Sequence, residues 1–318
     1  MYVVTGGAGF IGSNLVRGLN RRGITDVLVV DDLERGEKHR GLNALAFTDF
    51  VDYRDFGARL QAFAPETWSA VLHQGACSDT LETDGRYMLS VNYEYSKRLL
   101  AACLGRCPFI YASSAAVYGD GEDGFREEPL CEHPLNVYAF SKFLFDRHVR
   151  RTLPRAPTQV AGLRYFNVYG PQENHKGRMA SVVFKFHHQI KEKGELEVFE
   201  GSEDFRRDFI HVDDAVEANL HLLDHPEAHG IFNCGTGRAE SFLALAAAAA
   251  AHYEGCRIVR VPFPEALQGK YQAFTQADLT RLRGTGFTRA FTSLADGVAS
   301  YVKMLKETGG YHRRPATP

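Results

Sequence analysis

Residues 5–14 read TGGAGFIGSN, and this stretch decides the fold that the sequence predicts. It follows the apolar run MYVV and opens the helical pattern IGSNLVRGLNRRG. Gly7, Gly9 and Gly12 fit the spacing G-x-G-x-x-G, which is specific when a strand precedes it and a helix follows. The glycines permit a tight turn and a close backbone approach, and the helix N-terminus offers free N–H groups to phosphates. The stretch therefore predicts the pyrophosphate site of a dinucleotide-binding domain.

Two acidic residues lie where the second predicted strand ends. Asp31 stands about 20 residues after Gly12, the separation at which a carboxylate accepts hydrogen bonds from the adenosine ribose. Asp32 follows, and the two carboxylates favour NAD because they repel a 2′-phosphate. Arg35 and Lys38 in the next loop favour NADP. These residues alone leave the choice between NAD and NADP open.

The first 166 residues repeat one arrangement, in which short β-branched runs alternate with helix-length segments. The strand-like runs include DVLVVDD, AVLHQGA and PFIYASS, and LNVYAFSKFLFDRHVRR is one of the helical segments. Strands separated by helices imply right-handed crossovers and a parallel sheet. The sequence therefore predicts an α/β protein with a Rossmann doubly wound parallel sheet.

The pattern of residues changes after residue 170. The predicted loops are longer there, and glycine, proline and charged residues occur in mixed clusters. We interpret this as a smaller α/β C-terminal substrate lobe over residues 167–310. The NAD(P)-binding Rossmann domain is predicted over residues 1–166, with returns near 208–237. Residues 311–318 are predicted to be a disordered tail.

The composition excludes several classes of function. A formal net charge of −2 argues against broad binding to nucleic acid or to a membrane surface, which needs a basic excess. No apolar run is long enough to span a bilayer, and no signal-peptide pattern precedes the first strand. The six cysteines include no CxxC pair, and no residues are spaced for zinc. We expect a cytoplasmic protein with reduced thiols, no metal and a small-molecule substrate.

A serine, a tyrosine and a lysine form the candidate catalytic group. Tyr138 and Lys142 are four residues apart in a helical segment and share one face, while Ser114 ends a predicted strand at the ligand-binding edge. Hydride removal from a carbinol carbon requires a base, and tyrosine serves only if its pKa falls about three units from its ordinary value near 10. The Lys142 ammonium and a positive nicotinamide ring together can supply that shift.

These motifs resemble one family over nearly the whole chain. TGGAGFIG, SSAAVYG and YAFSK, with RDFIHVDD at 207–214 and FNCGTG at 232–237, are similar to the extended short-chain dehydrogenase/reductases that act as nucleotide-sugar epimerases and dehydratases. The resemblance implies an NAD(P)-dependent isomerase and a homo-oligomer, a pentamer being one arrangement.

Three further stretches resemble the branch of this family that epimerises C-6 of an ADP-heptose for the lipopolysaccharide core. They are HQGACSDTLETDGRYM at 73–88, GPQENHKGRMASVVF at 170–184 and YQAFTQADL at 271–279. The branch implies NADP as cofactor, with NAD not excluded.

The resemblance also assigns binding roles residue by residue. The implied cofactor-binding residues are Gly6, Gly9, Phe10, Ile11, Gly12, Asp31, Asp32, Lys38, Gln74, Gly75, Ala76, Cys77, Ser78, Asn92, Lys142, Val168 and Lys176. The implied substrate-binding residues are Ser114, Asn167, Arg178, Lys185, Phe199, Glu200, Gly201, Ser202, Arg207 and Tyr271, with Arg207 holding the diphosphate.

Lys176 is implied to be a second catalytic acid/base. Inversion by redox chemistry removes hydride from one face and returns it to the other, so the substrate oxygen needs a proton partner on each side. Four residues depart from the family pattern. Asp32 stands where asparagine is common and Tyr53 where lysine is common, which weakens the case for NADP. Arg178 replaces a serine and Lys185 a histidine, which leaves the exact sugar open.

Two other functions compete with a C-6 epimerase. A 4-epimerase or 4,6-dehydratase of another nucleotide sugar would share the fold, but a dehydratase usually needs an acidic residue where Ala115 and Ala116 follow Ser114. A non-enzymatic dinucleotide sensor would also share the fold, although such proteins tend to lose the tyrosine–lysine pair that this chain retains.

Overall fold

The computed structural model describes residues 1–264 and 272–313. Its strands are β1 (Tyr2–Thr5), β2 (Val27–Asp31), β3 (Asp49–Asp52), β4 (Ala70–His73), β5 (Phe109–Ser114), β6 (Val160–Tyr165), β7 (Asn167–Tyr169), β8 (Glu195–Phe199), β9 (Arg206–His211), β10 (Gly230–Cys234), β11 (Ala239–Ser241) and β12 (Arg257–Val261). Its α-helices are α1 (Phe10–Arg21), α2 (Lys38–Leu42), α3 (Tyr53–Ala58), α4 (Gly85–Leu89), α5 (Tyr95–Cys103), α6 (Val137–Thr152), α7 (Val182–Lys193), α8 (Val212–Asp224), α9 (Phe242–Ala250), α10 (Thr280–Gly284) and α11 (Leu294–Thr308).

The predicted doubly wound sheet is confirmed. Seven parallel strands lie in the order β10-β6-β5-β4-β1-β2-β3. Successive side chains of β1 enter different cores, since Val3 packs with Leu28 and Val71 on one face and Val4 with Val29 and Leu72 on the other. The chain winds outward from β1 in both directions, so the carboxyl ends of β1 and β4 border the crevice where such sheets bind ligands.

The second lobe has its own apolar cluster and two small sheets. Side chains of α7, β8, α9 and α11 form the cluster, which includes Phe186, Leu196, Leu245 and Tyr301. One sheet has the order β11-β9-β7, and the other pairs β12 with β8. The sequence predicts that the chain returns to the Rossmann domain near residues 208–237. The first element of this range, β9, lies instead in the three-stranded sheet, because the chain leaves β6 through β7 and β9 pairs with β7. The elements that do return are α8, which packs on α1, and β10, which pairs with β6.

The chain remains ordered past the point where the tail was predicted to begin. His312 is buried, and its Nε2 lies 2.8 Å from Asn14 Oδ1 on α1. The Arg40 guanidinium lies 4.3 Å from the centre of the Tyr311 ring. A disordered tail from residue 311 is therefore wrong for these two residues, and residues 314–318 lie outside the described range.

No helix within residues 1–264 and 272–313 is long and apolar enough to cross a membrane. All six cysteines fall inside these ranges and are free thiols.

A buried charge network docks α6 on the large sheet. Asp146 accepts hydrogen bonds from the Tyr111 hydroxyl and the Ser113 hydroxyl, each 2.9 Å long, and from Arg164 Nε at 2.9 Å. Arg164 also pairs with Glu132. The side chains of Arg164, Asp146 and Glu132 are fully buried, so each charge depends on its partners for compensation. The network fixes α6 against β5 and β6.

We predict that Arg164→Met lowers the free energy of unfolding by about 3–5 kcal/mol, because it leaves two buried carboxylates short of a cation. Urea unfolding followed by circular dichroism measures this change. The matched control is Arg257→Met. Arg257 pairs with Glu195 but is 76% exposed, so its loss is expected to change stability by about 0.5 kcal/mol or less. Equal losses in the two variants would contradict the assignment.

Candidate active site

The glycine turn after β1 forms a cradle that only glycine can build. A Cβ atom on Gly12 would lie 2.0 Å from the carbonyl oxygen of Gly6, and Gly6 itself has a φ of +66°. The Gly9 N–H donates to the same Gly6 oxygen at 2.9 Å. Gly9 caps α1 without any side-chain hydrogen bond, so the first N–H groups of the helix remain available to an anion. The turn fits the pyrophosphate of a dinucleotide.

The end of β2 holds a compact charge cluster. Asp31 is buried and accepts hydrogen bonds from Ala8 N–H at 2.8 Å and from Lys38 Nζ at 2.6 Å. Lys38 also reaches Asp32 at 3.2 Å. Burial raises the pKa of Asp31, and the charge of Lys38 opposes that rise. The cluster lies where the sequence predicts the adenosine ribose.

One cleft of about 1010 Å³ brings most of the predicted site residues together. It runs along the carboxyl ends of the strands. The predicted residues that line it are Gly6, Gly9, Phe10, Ile11, Gly12, Asp31, Asp32, Lys38, Gln74, Gly75, Ala76, Cys77, Ser78, Ser114, Tyr138, Lys142, Asn167, Val168, Lys176 and Arg178.

Asn92 is the predicted cofactor residue that does not line this cleft. It lies on a π-helical turn, Ser90–Glu94, between α4 and α5. Its side chain accepts from Cys77 N–H at 2.8 Å, and it donates to Cys77 O at 2.9 Å and to Ser141 Oγ at 3.0 Å. Asn92 therefore supports the wall of the cleft from behind, and it ties that wall to α6.

The candidate catalytic tyrosine and lysine lie in the first two turns of α6. The helix is capped by Asn136, whose side chain accepts from Ala139 N–H at 2.8 Å. Tyr138 is partly exposed to the cleft, and a hydrogen bond with Ser114 favours its ionised form. The Lys142 ammonium is buried and donates to Ala112 O at 2.9 Å. Ser114, Tyr138 and Lys142 thus meet as predicted.

Burial dominates the electrostatics of this group in the protein alone. The pKa of Tyr138 is raised, because desolvation outweighs the Ser114 hydrogen bond. Burial also lowers the pKa of Lys142 to about 8, although Asp146 opposes this change. The Lys142 ammonium donates to a backbone carbonyl. The lowering of the Tyr138 pKa by Lys142 and the nicotinamide ring together stays a prediction.

Lys176 enters the cleft on a loop that lies over the glycine turn. Its Nζ is 4.9 Å from the centre of the Phe10 ring at the start of α1. Burial lowers the pKa of Lys176, while Glu173 raises it. A lowered pKa makes it easier for an amine to release a proton to a substrate.

A second cavity of about 300 Å³ adjoins the cleft, and Val182 and Phe242 line both. Three predicted substrate residues line it: Lys185, Phe199 and Ser202. The Ser202 hydroxyl is buried without a hydrogen-bond partner among residues 1–264 and 272–313, so it is available to a polar ligand. Sequence reasoning missed the remaining lining residues, which lie on separate elements with no shared motif: Phe186, Gln189, Glu197, Val198, Phe205 and Val261.

The other predicted substrate residues lie elsewhere. Glu200, Gly201 and Arg207 line neither of these cavities. Arg207 is buried on β9, where its Nη1 donates to Arg206 O at 3.1 Å and its guanidinium lies 5.8 Å from the centre of the Phe242 ring. Tyr271 falls outside the described residues.

His73 is a supporting residue that the sequence analysis missed. It ends β4, and its ring nitrogens lie 2.6 Å from Thr5 Oγ1 and 2.8 Å from Ser96 Oγ. Burial lowers the pKa of His73 to about 3, so the ring is neutral. The same Thr5 hydroxyl accepts from Gly75 N–H at 3.1 Å. His73 therefore holds together the two strand ends that border the crevice, and its only sequence signal is a polar residue ending an apolar run.

Residues 2–235 match the model of the NAD dependent epimerase/dehydratase family, and the chain belongs to that family. It is 53% identical over 316 residues to the ADP-L-glycero-D-manno-heptose-6-epimerase of Brachyspira hyodysenteriae, covering 98% of this chain and 99% of that protein. The crystal structure of the Helicobacter pylori ADP-L-glycero-D-manno-heptose-6-epimerase matches with a TM-score of 0.83 at 27% identity, covering 96% of both chains. The Thermotoga maritima UDP-glucose 4-epimerase with UDP-glucose matches with a TM-score of 0.82 at 27% identity, covering 96% of this chain and 99% of that one.

These similarities confirm the resemblance read from the motifs. The family identifies the cofactor as a nicotinamide dinucleotide, and the glycine cradle and the ribose cluster fit that group.

We predict that Gly12→Ala weakens dinucleotide binding at least about tenfold, equivalent to about 1.4 kcal/mol, because its Cβ would collide with the Gly6 backbone. Calorimetric titration of dinucleotide-free protein measures the change. The control is Gly284→Ala, where a Cβ would meet nothing within 4 Å. Unchanged affinity in Gly12→Ala would show that the turn does not cradle the ligand.

Proposed function

We propose that this chain epimerises C-6 of ADP-D-glycero-D-manno-heptose, a step that serves lipopolysaccharide core synthesis. The observation that carries the proposal is 53% identity across 98% of the chain to a protein of that named activity. The site supports it, because Tyr138 and Lys176 line the same cleft and provide two acid/base groups. Homo-oligomeric assembly stays a prediction.

The cofactor, when bound, would accept and return the hydride, and its oxidised form would add a positive charge to the cleft. Tyr138, as its phenolate, would take the proton of the C-6 hydroxyl in one orientation of the sugar, with Ser114 holding the oxygen. After the substrate carbonyl turns to present its other face, the Lys176 ammonium would provide the proton for the newly formed hydroxyl, and proton exchange with solvent would restore both side chains. Lys142 donates to Ala112 O and contributes its charge to the same cleft.

The second cavity supplies a place for the nucleotide part of this substrate. It combines aromatic side chains with Ser202, whose buried hydroxyl has no partner in the described part of the chain. A ligand that spans both cavities must pass Val182 and Phe242, which line each of them. This arrangement suits a nucleotide sugar whose sugar reaches Tyr138 while its base lies between α7 and β8.

Purified protein incubated with ADP-D-glycero-D-manno-heptose is expected to invert C-6, as followed by NMR. Tyr138→Phe and Lys176→Met are each expected to lower turnover at least about a hundredfold, the scale of losing a general acid/base. Both variants should still bind ADP, because neither side chain lines the second cavity.

Lys191→Met, on the last turn of α7 and exposed, serves as the control with normal turnover. Retention of C-6 configuration by the wild-type protein would refute the proposed reaction. Turnover in Lys176→Met equal to that of the wild type would remove Lys176 from the mechanism.

We also propose that the cofactor is NAD, in contrast to the NADP that the family branch implies. The cations near the ribose are already engaged with protein acceptors. Lys38 bonds to Asp31 and Asp32, and Arg35 donates to His175 O at 2.9 Å. Arg54 pairs with Glu34. A 2′-phosphate would have to displace these partners and stand beside carboxylates, whereas a ribose hydroxyl can donate to Asp31.

We predict that NAD⁺ binds at least about tenfold more tightly than NADP⁺, equivalent to about 1.4 kcal/mol, and that Asp32→Asn narrows this ratio by removing one anion. Titration of dinucleotide-free protein with each ligand measures both. Glu37→Gln is the matched control, because it removes an exposed anion from the same loop without lining the cleft. Tighter binding of NADP⁺ to the wild-type protein would contradict this choice.

A further inference from the structure

We propose that Glu173 is a positioning residue, which holds the loop that carries Lys176 in place over the cleft. The proposal rests on the acid/base role proposed for Lys176. Glu173 does not line the cleft, and it acts through the backbone of residues 174–180, which we term the strap.

The carboxylate of Glu173 closes the strap at its base. It is fully buried and accepts hydrogen bonds from the backbone N–H of Ser181 at 2.6 Å and from the Ser181 hydroxyl at 2.5 Å. Ser181 also caps the N-terminus of α7. One carboxylate therefore joins both ends of the strap and the start of the next helix.

The rest of the protein fixes Glu173 itself. The Tyr301 hydroxyl on α11 donates to its Oε1 at 2.9 Å. The backbone on either side is bound to the C-terminal turn, because Gln172 N–H donates to Gly310 O at 2.9 Å and Asn174 Nδ2 donates to Gly309 O at 2.8 Å. The base of the strap is thus held by contacts from distant parts of the chain, of which the Tyr301 hydrogen bond is buried.

The other polar contacts of the strap are weaker. Arg178 pairs with Asp79 at 2.6 Å, but Arg178 is 63% exposed. Arg35 reaches His175 O from another exposed loop. The Thr80 hydroxyl makes a long, part-buried contact of 3.7 Å with the Met179 sulfur. Exposed ion pairs contribute little because water competes for both partners, whereas buried hydrogen bonds to a carboxylate are strong. We therefore infer that the Glu173 carboxylate contributes most to the position of the strap.

The charge of Glu173 also acts directly on the proposed base. Its negative charge raises the pKa of Lys176, which opposes the lowering by burial and by Lys185. One side chain therefore contributes to both the position and the basicity of Lys176. A displacement of about 1 Å at a catalytic group can cost about a hundredfold in rate, so loss of the carboxylate should appear in kcat.

The test is a double-mutant cycle with ADP-D-glycero-D-manno-heptose as substrate. Glu173→Ala is expected to lower kcat about 10- to 100-fold while KM stays within about threefold, because the second cavity is untouched. In the Lys176→Met background the same change is expected to lower kcat by less than about threefold, since the group that it positions is gone. Glu173→Gln, which keeps an acceptor without the charge, should lie between the wild type and Glu173→Ala, and it replaces Glu173→Ala in the cycle if that variant does not fold.

Asp208 provides the matched control. This buried carboxylate also ties a loop, accepting from Thr236 N–H at 2.6 Å and Gly237 N–H at 2.9 Å. Among the described residues, its hydrogen bonds reach Thr236, Gly237 and Ala277 and not the strap. Any effect of Asp208→Ala on kcat should therefore be the same with and without Lys176.

Three results would overturn the proposal. The first is normal kcat in Glu173→Ala. The second is an equal loss in both backgrounds, which would make Glu173 merely structural. The third is full activity of Lys176→Met, which removes the base that Glu173 is said to position and refutes the proposed role of Lys176 as well.

Discussion

The buried pairing of Asp146 with Arg164 is the interaction on which the active site depends. Tyr138, Lys142 and Asp146 recur every four residues along α6 and so share one face of the helix. Arg164 and the hydroxyls of β5 hold the Asp146 end of that face to the sheet, and the Ala112 carbonyl holds Lys142. The tyrosine is thereby presented to the cleft from a rigid surface. Because the charges are fully buried, any other docking of α6 would leave a carboxylate or a guanidinium without compensation.

The two sides of the cleft are built on different principles. The sheet side uses backbone geometry, since the glycine turn and the helix N-terminus present N–H groups with no side chain in between. The opposite side uses side chains on a loop, whose position depends on the buried carboxylate of Glu173 and on the C-terminal turn. A backbone site tolerates almost no substitution, whereas a side-chain loop can change its chemistry while the fold persists. This division is consistent with a family in which one dinucleotide fold serves many sugars.

The parts of the structure that the sequence could predict are those whose signal is local. The glycine spacing, the β-branched strands and the i, i+4 pair of Tyr138 and Lys142 each follow from a few adjacent residues. The parts that it could not predict depend on partners far along the chain. Glu173 is hydrogen-bonded to Tyr301, which is 128 residues away. His73 is likewise hydrogen-bonded to Thr5 and Ser96. The pairing of β9 with β7 likewise joins residues that are far apart in the chain. The raised pKa of Tyr138 reflects a balance between desolvation and a hydrogen bond, which residue spacing cannot reveal.

The seating of His312 against Asn14 has a consequence for synthesis on the ribosome. The helix that follows the glycine turn is synthesised early. The side chain of Asn14 on this helix donates to Pro171 O, and it also contacts His312, which is added much later. Asn14 and His312 are 298 residues apart. This helix therefore cannot complete its packing until that length of chain has been synthesised. The final packing contact of the helix behind the glycine turn thus forms only after residue 312 has been added.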